Sequence, residues 1–234
     1  MTAQFFGDTR RRLPTAAYDL AIRLGATPGL ERTRVHLTQV GRMRQDAASK
    51  WMAFRADQTI ATRTCAFDWR ARSGPAGLVR IRDSLAGAEG HLRVTVLGVP
   101  ITPMPASVAV TRGQSMRSLA EIPWAPDAIL LNRALDWRVL GADRLVVGAG
   151  PAEARVEVEL TLDREGRVSE VYAPDRPRAV HGGTRPTPWR GRFSNYGLHD
   201  GMLLPFQGAV EWIVDGVEEV AWEGRLGNWH ALTA

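Results

Sequence analysis

The chain has 234 residues, 44% of them hydrophobic and 24% charged, a composition typical of a folded globular protein rather than a disordered one. No apolar run approaches the roughly 20 residues of a transmembrane helix, and the single cysteine, Cys65, excludes an intrachain disulfide and any multi-cysteine metal site. The net charge of +5 is carried almost entirely by arginines that mostly alternate with acidic residues along the chain, so we expect no nucleic-acid partner.

The first predicted element is a helix over about residues 9–25. Apolar residues recur there at spacings of three and four: Leu13, Ala17, Leu20 and Leu24. Pro14 lies in the early part of the helix, where the missing N–H of a proline costs least, and Gly25 suits the C-terminal end. The preceding residues are polar and rich in arginine, without the apolar stretch of a secretory signal, so we expect a cytoplasmic protein.

Segments in which apolar and polar residues alternate follow this helix. Such alternation predicts antiparallel strands with one buried side and one side facing solvent. The predicted strands in this half of the chain cover about residues 35–44, 51–60, 62–71, 78–83 and 91–97.

A helical insertion is predicted over about residues 115–134, where the alternation ceases. Pro123 and Pro126 interrupt it, because a proline removes a backbone donor and clashes with the preceding turn. Glu121 and Trp124 lie at this interruption, and we interpret the fixed backbone as serving either packing or a binding site.

The second half of the chain returns to alternation. The predicted strands here cover about residues 154–162, 167–172, 203–214 and 219–229. The last two are joined by Asp215-Gly216, a hairpin pair that favours positive φ. The segment 174–188 is rich in proline and glycine and is predicted to be a long loop.

These elements predict an α+β, mostly β fold in a single domain of residues 1–234. With about ten strands, the sheet must curl in order to bury its apolar face. We therefore expect a large curved antiparallel sheet, an open half-barrel, wrapped round one or two helices.

The usual catalytic motifs are absent from the sequence. It holds no phosphate-binding loop, nucleophile elbow or zinc-protease motif, and we expect neither a cofactor nor a metal site. His199 is adjacent to Asp200 and is a candidate for acid–base catalysis, although adjacent residues seldom point at one target. Cys65 lies in an alternating strand and is interpreted as a small core residue.

Tryptophan is the most distinctive residue type, with eight copies against three tyrosines. Two interpretations stay open: the rings fill the concave side of a curved sheet, or they line a cavity and orient a ligand with their indole N–H groups. The aromatic candidates for such a site are Trp69, Trp124, Trp212, Trp222 and Tyr196.

Glu121 is predicted to lie beside Trp124 at the mouth or floor of that cavity. A carboxylate next to an indole must pair or stay protonated, because an isolated buried charge is too costly. The candidate partners, which are also candidate ligand-binding residues, are Arg42, Arg44 and Arg192. The alternative role of Glu121 is that of a catalytic acid or base.

Several stretches resemble an uncharacterised bacterial family that is catalogued only as a domain of unknown function. These stretches are residues 35–44, 51–58, 119–131, 204–208 and 222–225. The resemblance covers about residues 20–230 and names no activity, so it implies no catalytic residues.

The late strands are similar to those of the lipoprotein-carrier half-barrels, the LolA/LppX-like group. The similarity lies in residues 163–168 and 193–201, the second of which leads to Leu204-Pro205. It implies an unclosed antiparallel barrel wrapped round helices, with a cavity that holds acyl chains or another apolar ligand. Periplasmic carriers have an export signal that this chain does not show, so we expect the scaffold rather than lipoprotein transport itself.

Two functional hypotheses follow. The first is a module that binds an apolar or amphipathic small molecule in a Trp-lined cavity. The second is a cofactor-free biosynthetic enzyme, an isomerase, cyclase or dehydratase, that uses the same cavity. Such reactions need only positioning and one acid or base, and they leave little trace in a sequence.

Overall fold

Thirteen strands form a single antiparallel sheet in the part of the chain that the structure describes. The computed structural model describes residues 13–87, 89–101 and 107–233, so residues 9–12 of the predicted first helix lie outside it. The strands are β1 (Arg32–Met43), β2 (Met52–Ala61), β3 (Phe67–Ser73), β4 (Val79–Ala86), β5 (Glu89–Val96), β6 (Val99–Pro100), β7 (Asp136–Val139), β8 (Arg144–Ala149), β9 (Val156–Leu162), β10 (Val168–Val180), β11 (Gly183–His199), β12 (Met202–Val214) and β13 (Val217–Thr233). The helices are α1 (Thr15–Arg23), α2 (Val108–Ala120) and α3 (Asp127–Leu131).

The sheet consists of two meanders that are joined where the first strand pairs with the last. Its order is β6-β5-β4-β3-β2-β1-β13-β12-β11-β10-β9-β8-β7. At the central seam, Val35 lies opposite Ala231 and Met43 lies opposite Trp222. A twisted sheet of this many strands curls rather than staying flat. The prediction of a mostly β half-barrel is confirmed, with thirteen strands in place of about ten.

Helix α2 lies inside the curl and connects its two ends. It contacts β4 and β5 on one side and β8, β9 and β10 on the other. Its side chains Met116 and Leu119 are completely buried in this position. The helix therefore takes the place of the strand pairing that closes a complete barrel.

Helix α2 begins at Val108, earlier than the predicted start at residue 115. The side chain of Ser107 caps it and accepts a hydrogen bond from the backbone N–H of Val110 at 3.2 Å. The buried face of its first half includes Gly113 and Gln114, so the apolar periodicity that marks a helix is missing there.

The predicted interruption of the helical insertion is confirmed. A 3₁₀ turn, Ile122–Trp124, follows α2 and contains Pro123, and α3 starts immediately after Pro126. Helix α1 starts directly after Pro14, within the predicted range. No helix in the described ranges has both the length and the apolar composition needed to cross a bilayer.

The prediction of a long loop over residues 174–188 is wrong, because β10 and β11 run through this segment as a hairpin. Prolines are normally excluded from strands because they cannot donate to the ladder. Here Pro177 lies opposite Pro186, a pairing in which neither residue has to donate. Pro174 lies in the irregularity that follows Ala173. The prolines thus occupy the positions that an antiparallel pair tolerates.

The hairpin turn at Asp215-Gly216 is confirmed. Both residues have positive φ, 50° and 82°, which matches the twist of the two strands they connect. Asp200-Gly201 forms a second turn of this kind between β11 and β12, with φ of 49° and 76°.

We expect Leu119→Ala to lower the free energy of unfolding by about 2–5 kcal/mol, because the truncation leaves a cavity between α2 and the sheet. Val108→Ala is the matched control, since Val108 lies on the same helix with 86% of its surface exposed. It should change the stability by less than about 0.5 kcal/mol. Urea denaturation of both variants measures the difference, and equal effects would show that α2 does not hold the curl together.

Candidate functional site

A cavity of about 340 Å³ lies between the concave face of the sheet and helix α2. Its wall is dominated by five tryptophans: Trp69, Trp124, Trp189, Trp212 and Trp222. Four of them are the tryptophans that the sequence singled out. The fifth, Trp189, lies in the segment predicted to be a loop and was therefore missed.

Two glycines leave room for indole rings beside the sheet. Gly41, Gly224 and Gly208 are directly opposite one another on β1, β13 and β12. A Cβ atom on Gly224 would overlap the ring of Trp222, and one on Gly208 would lie 3.3 Å from the ring of Trp124. Because Gly224 and Gly208 have no side chain, these two rings occupy the space above the strands, whereas Gly41 allows the backbones of β1 and β13 to approach closely.

Trp124 is held by hydrogen bonds at both its side chain and its backbone. Its Nε1 donates to the carbonyl of Pro205 at 2.9 Å, and its own carbonyl accepts from Nε1 of Trp229 at 2.8 Å. Its ring meets Phe193 edge-on, with 5.2 Å between the ring centroids. The short turn between the two prolines therefore positions this indole rigidly in the cavity wall.

A cluster of charged groups forms the polar part of the cavity. Arg117, on α2, contacts Glu121 Oε1 through Nε at 2.7 Å and Asp83 Oδ2 through NH1 at 2.5 Å. Gln58 on β2 donates from Nε2 to the other oxygen of Glu121. Gln58, Asp83 and Glu121 are all buried. One helix and two strands are thus tied together inside the curl.

Glu121 is buried and paired with an arginine, as predicted, but the partner is Arg117 rather than Arg42, Arg44 or Arg192. Arg117 lies one helical turn before Glu121, the spacing at which side chains on a helix face each other. That spacing was visible in the sequence and was the signal that could have identified the pair.

Asp83 lines the cavity and has one buried carboxyl oxygen without a hydrogen-bond partner in the described part of the chain. Its Oδ1 has no hydrogen-bond partner within the described residues, while Oδ2 is engaged by Arg117. Burial raises the pKa of Asp83 although two arginines, Arg117 and Arg176, lie near. Burial therefore disfavours the ionised form of this carboxyl more than the nearby arginines favour it.

Arg176, on β10, brings a second cation to the cavity. Its guanidinium carbon lies 4.6 Å from the ring centroid of Trp189 and 5.4 Å from that of Trp212. Its Nε donates to the carbonyl of Gly113 at 3.3 Å, and no carboxylate of the described chain lies within ion-pair distance. Burial lowers the pKa of Arg176 to about 10, so the group keeps its charge at neutral pH. This residue also lies in the segment predicted to be a loop.

The remaining predicted site residues do not direct their polar groups into the cavity. Arg42 pairs with Glu223 on the outer face of the sheet, and Arg192 reaches the cavity wall but pairs its guanidinium with Glu211 and Glu218. Arg44 lies at the wall and stacks its guanidinium on Trp51.

Unlike Arg44 and Arg192, Tyr196 and His199 lie outside the cavity wall. Tyr196 donates its hydroxyl hydrogen to the carbonyl of Val168, and burial raises the pKa of this tyrosine. The Nε2 atom of His199 lies 2.8 Å from the carbonyl oxygen of Trp229. Both rings are thus engaged with backbone rather than aimed at a ligand. In the described part of the chain, no group of three or more His, Cys, Asp or Glu residues is arranged to hold a metal ion.

We expect Glu121→Ala to lower the free energy of unfolding by about 3–5 kcal/mol, because it strands the buried cation Arg117 beside one remaining carboxylate. Glu165→Ala is the matched control, since Glu165 pairs with Arg167 at an exposed turn. It should cost at most about 1 kcal/mol. Denaturant unfolding measures both, and a loss of less than 1 kcal/mol in Glu121→Ala would contradict the buried pair.

The stability of Asp83→Asn relative to the unmodified protein should increase as pH rises from about 4, the pKa of an aspartate in the unfolded chain. The raised pKa of Asp83 means that the folded state binds the proton more tightly, so stability is lost as pH rises towards the folded pKa. Asparagine does not ionise and avoids that loss. Urea unfolding at a series of pH values measures the difference.

Asp163→Asn gives the opposite control. Partial burial alone would raise the pKa of Asp163, but hydrogen bonds from Arg167 and the backbone outweigh this effect and lower the pKa. Its ionised form therefore contributes stability above about pH 4, and the asparagine variant should become less stable relative to the unmodified protein as pH rises. Parallel pH dependence in the two variants would contradict the assignment for Asp83.

Comparison with solved structures identifies the same architecture in other proteins. A LolA superfamily protein from Nitrosomonas europaea superposes with a TM-score of 0.50 at 12% identity, over 93% of this chain and 94% of that chain. A domain assigned as an outer-membrane lipoprotein-sorting protein from Vibrio parahaemolyticus gives a TM-score of 0.50 at 12% identity, covering 93% and 91%. A DUF1329 family protein from Desulfovibrio piger gives 0.50 at 14% identity, covering 93% and 92%. At these identities the similarity establishes a shared fold and nothing further.

Among curated proteins, none matches this chain significantly. The sequence model of one family matches residues 8–224, which is nearly the whole chain. This family is DUF6544, described as a family of unknown function. The predicted resemblances to a family of unknown function and to the LolA-like half-barrels are both confirmed, and the chain belongs to the DUF6544 family.

Proposed function

We propose that this protein binds an amphipathic small molecule in the tryptophan-lined cavity. The observation that carries the proposal is the combination of five indole rings with one cation, Arg176, that has no carboxylate partner among the described residues. The rings provide a surface for an apolar body, and the cation provides a position for an acidic head group.

The size and lining of the cavity support the apolar part of this proposal. Its volume of about 340 Å³ falls at the lower end of the range of about 300–1,000 Å³ for small-molecule sites. The apolar side chains Met43, Ile81, Leu92 and Val210 complete the wall between the tryptophans. An alkyl chain or a small ring system leaves water on entering such a space, which is the main source of its affinity.

The polar part rests on Arg176 and its neighbours. Arg117 is satisfied by two carboxylates, whereas the terminal amino groups of Arg176 have no partner within the described residues. Guanidinium groups bind carboxylate and phosphate oxygens in pairs, and the flanking rings of Trp189 and Trp212 hold this one in place.

The fold supports the same class of ligand. One similar structure carries the description of outer-membrane lipoprotein sorting, which favours a lipid-like molecule over a sugar or a nucleotide. The similarity extends to the fold alone, so the chemistry of the proposed ligand rests on the cavity of this protein.

Titration with dodecanoate and with the uncharged dodecanol tests the proposal through tryptophan fluorescence. Dodecanoate should change the emission saturably, and Trp212→Ala should weaken its binding at least about tenfold, which corresponds to about 1.4 kcal/mol. Trp51→Ala is the matched control, since Trp51 is not part of the cavity wall. It should leave the affinity unchanged.

Arg176→Gln should remove the preference for dodecanoate over dodecanol while leaving the affinity for dodecanol unchanged. This separates the head-group contact from the apolar contact, because only the acid carries a negative charge. Emission that changes linearly without saturation, or equally in Trp212→Ala and Trp51→Ala, would exclude the cavity as the binding site.

The second candidate function is a cofactor-free isomerase, cyclase or dehydratase that uses the same cavity. The observation that favours it is Asp83, which lines the cavity with an unpartnered Oδ1 and a raised pKa. A buried carboxyl with a raised pKa is one of the groups that serve as a general acid or base. Glu121 is a poorer candidate, because both of its oxygens are engaged by Arg117 and Gln58.

Mass spectrometry of molecules that co-purify with the protein separates the two functions. If the protein only binds, Asp83→Asn and the unmodified protein should carry the same compound. If it catalyses a reaction, the variant should accumulate a precursor that differs in mass or connectivity from the compound in the unmodified protein.

A further inference from the structure

The outer face of the sheet, which points away from α2, carries arginines in direct register. Arg80 on β4 lies opposite Arg72 on β3, which lies opposite Arg55 on β2. Val40 on β1 and then Arg225 on β13 continue the same row. We call Arg80, Arg72, Arg55 and Arg225 the arginine row. Neighbouring strands lie about 4.8 Å apart, so the first three guanidinium groups share a strip about 10 Å wide.

The side chains of the arginine row are exposed and form no ion pair in the described part of the chain. All four residues are exposed, and none of their side chains makes a hydrogen bond or ion pair with another described residue. Like charges directly opposite each other in a sheet are destabilising. This arrangement therefore costs the folded protein stability, and an external anion is what would compensate it.

The linear sequence conceals this concentration of charge. In the run Arg80-Ile81-Arg82-Asp83 the charges alternate in type, which argues against a basic surface. In the strand, both arginines face outward, whereas Ile81 and Asp83 line the internal cavity. Period-two alternation thus separates the arginines from the acid and leaves the outer face basic.

Exposed apolar side chains lie at the end of the sheet next to the arginine row. Leu97 is 70% exposed and Val99 is 63% exposed, both at the turn that connects β5 and β6. Thr95, two residues before Leu97, lies directly opposite Arg80. Leu78, which accepts the backbone hydrogen bond of Leu97, is also exposed. A basic face with apolar side chains at its border is the composition of a surface that binds a charged lipid bilayer.

We propose that the arginine row docks this protein on an anionic lipid bilayer, with Leu97 entering the acyl region at the edge of the contact. The apolar border favours a bilayer over a nucleic acid. The outer face of β2–β5, where the structure describes it, also carries no Phe, Tyr or Trp on which bases could stack. This inference does not depend on the proposed cavity ligand.

Co-sedimentation with phosphatidylcholine vesicles that contain phosphatidylserine tests the proposal. The unmodified protein should bind these vesicles and not vesicles of phosphatidylcholine alone. Replacing Arg55, Arg72 and Arg80 by Gln should lower the partition coefficient about 100-fold, because each arginine near a charged surface raises that coefficient about fivefold. Raising the ionic strength from about 0.1 M to about 1 M should also release the protein, because the Debye length falls from about 10 Å to about 3 Å.

A second triple variant is the matched control. Arg133, Arg164 and Arg185 are exposed, their side chains have no partner among the described residues, and none of them belongs to the strands of the row. Changing these three to Gln removes the same charge and should alter the partition coefficient by less than about threefold, because the charges lie farther from the bilayer. The melting temperature of both triple variants should stay at or above that of the unmodified protein, since only exposed side chains change.

Leu97→Asn isolates the apolar contribution. Leu97 has a positive φ of 53°, a conformation that Asn tolerates, so the turn is preserved while the apolar group is removed. Vesicle binding should fall about fivefold to tenfold, the effect of partly burying one leucine side chain.

Two results would overturn the proposal. One is a loss of vesicle binding that is equal in the arginine-row variant and the control variant. The other combines two observations. Leu97→Asn leaves vesicle binding unchanged, and the unmodified protein binds a DNA duplex more tightly than vesicles, through the same three arginines. That second result would identify the row as a nucleic-acid surface.

Discussion

Every strand residue in a single curved sheet must point either into the curl or away from it, and this alternation organises the whole molecule. On β4, Ile81 and Asp83 point inward, and Arg80 and Arg82 point outward. Cross-strand register then aligns residues of the same kind, so indoles and glycines meet on the concave face while arginines meet on the other. Two chemically different surfaces result from one repeating constraint, with only the thickness of a strand between them.

If only small apolar side chains lined the inner face of the sheet, helix and sheet would pack together without a cavity. Instead, Arg117 extends from α2 and is held by Asp83 on β4 and by Glu121 at the end of its own helix. These bonds fix the distance between helix and sheet, and the rigid indole of Trp124 occupies the space beside them. A buried ion cluster is weak as a source of net stability, yet it is specific in geometry. Its geometry keeps a cavity open where a close-packed core would otherwise form.

Much of the fold was predictable from the sequence because alternation and turn chemistry are local. The strands, the Asp215-Gly216 turn and the breaks at the two prolines followed from residues close together in the chain. The residues 174–188 were not predictable in this way, since the tolerance of a strand for Pro177 depends on what lies opposite it. In the site, four of the five tryptophans were recognisable from the sequence, and Trp189 was missed together with the strand that carries it. The unpartnered cation Arg176 was not recognisable, because its surroundings come from strands and a helix distant in sequence.

The distribution of charge follows from the same separation of faces. Around the cavity, Arg117 and Arg176 face Asp83 and Glu121, so the formal charges of these four groups cancel while all are ionised. The net charge of +5 therefore comes from residues outside this group of four. Acids on the outer face are largely engaged by their own arginines, as Asp68 is by Arg70 and Arg82. The arginine row receives no such partner from the described residues, so four unpaired positive charges lie on one outer surface of the sheet, opposite the side from which the cavity is lined.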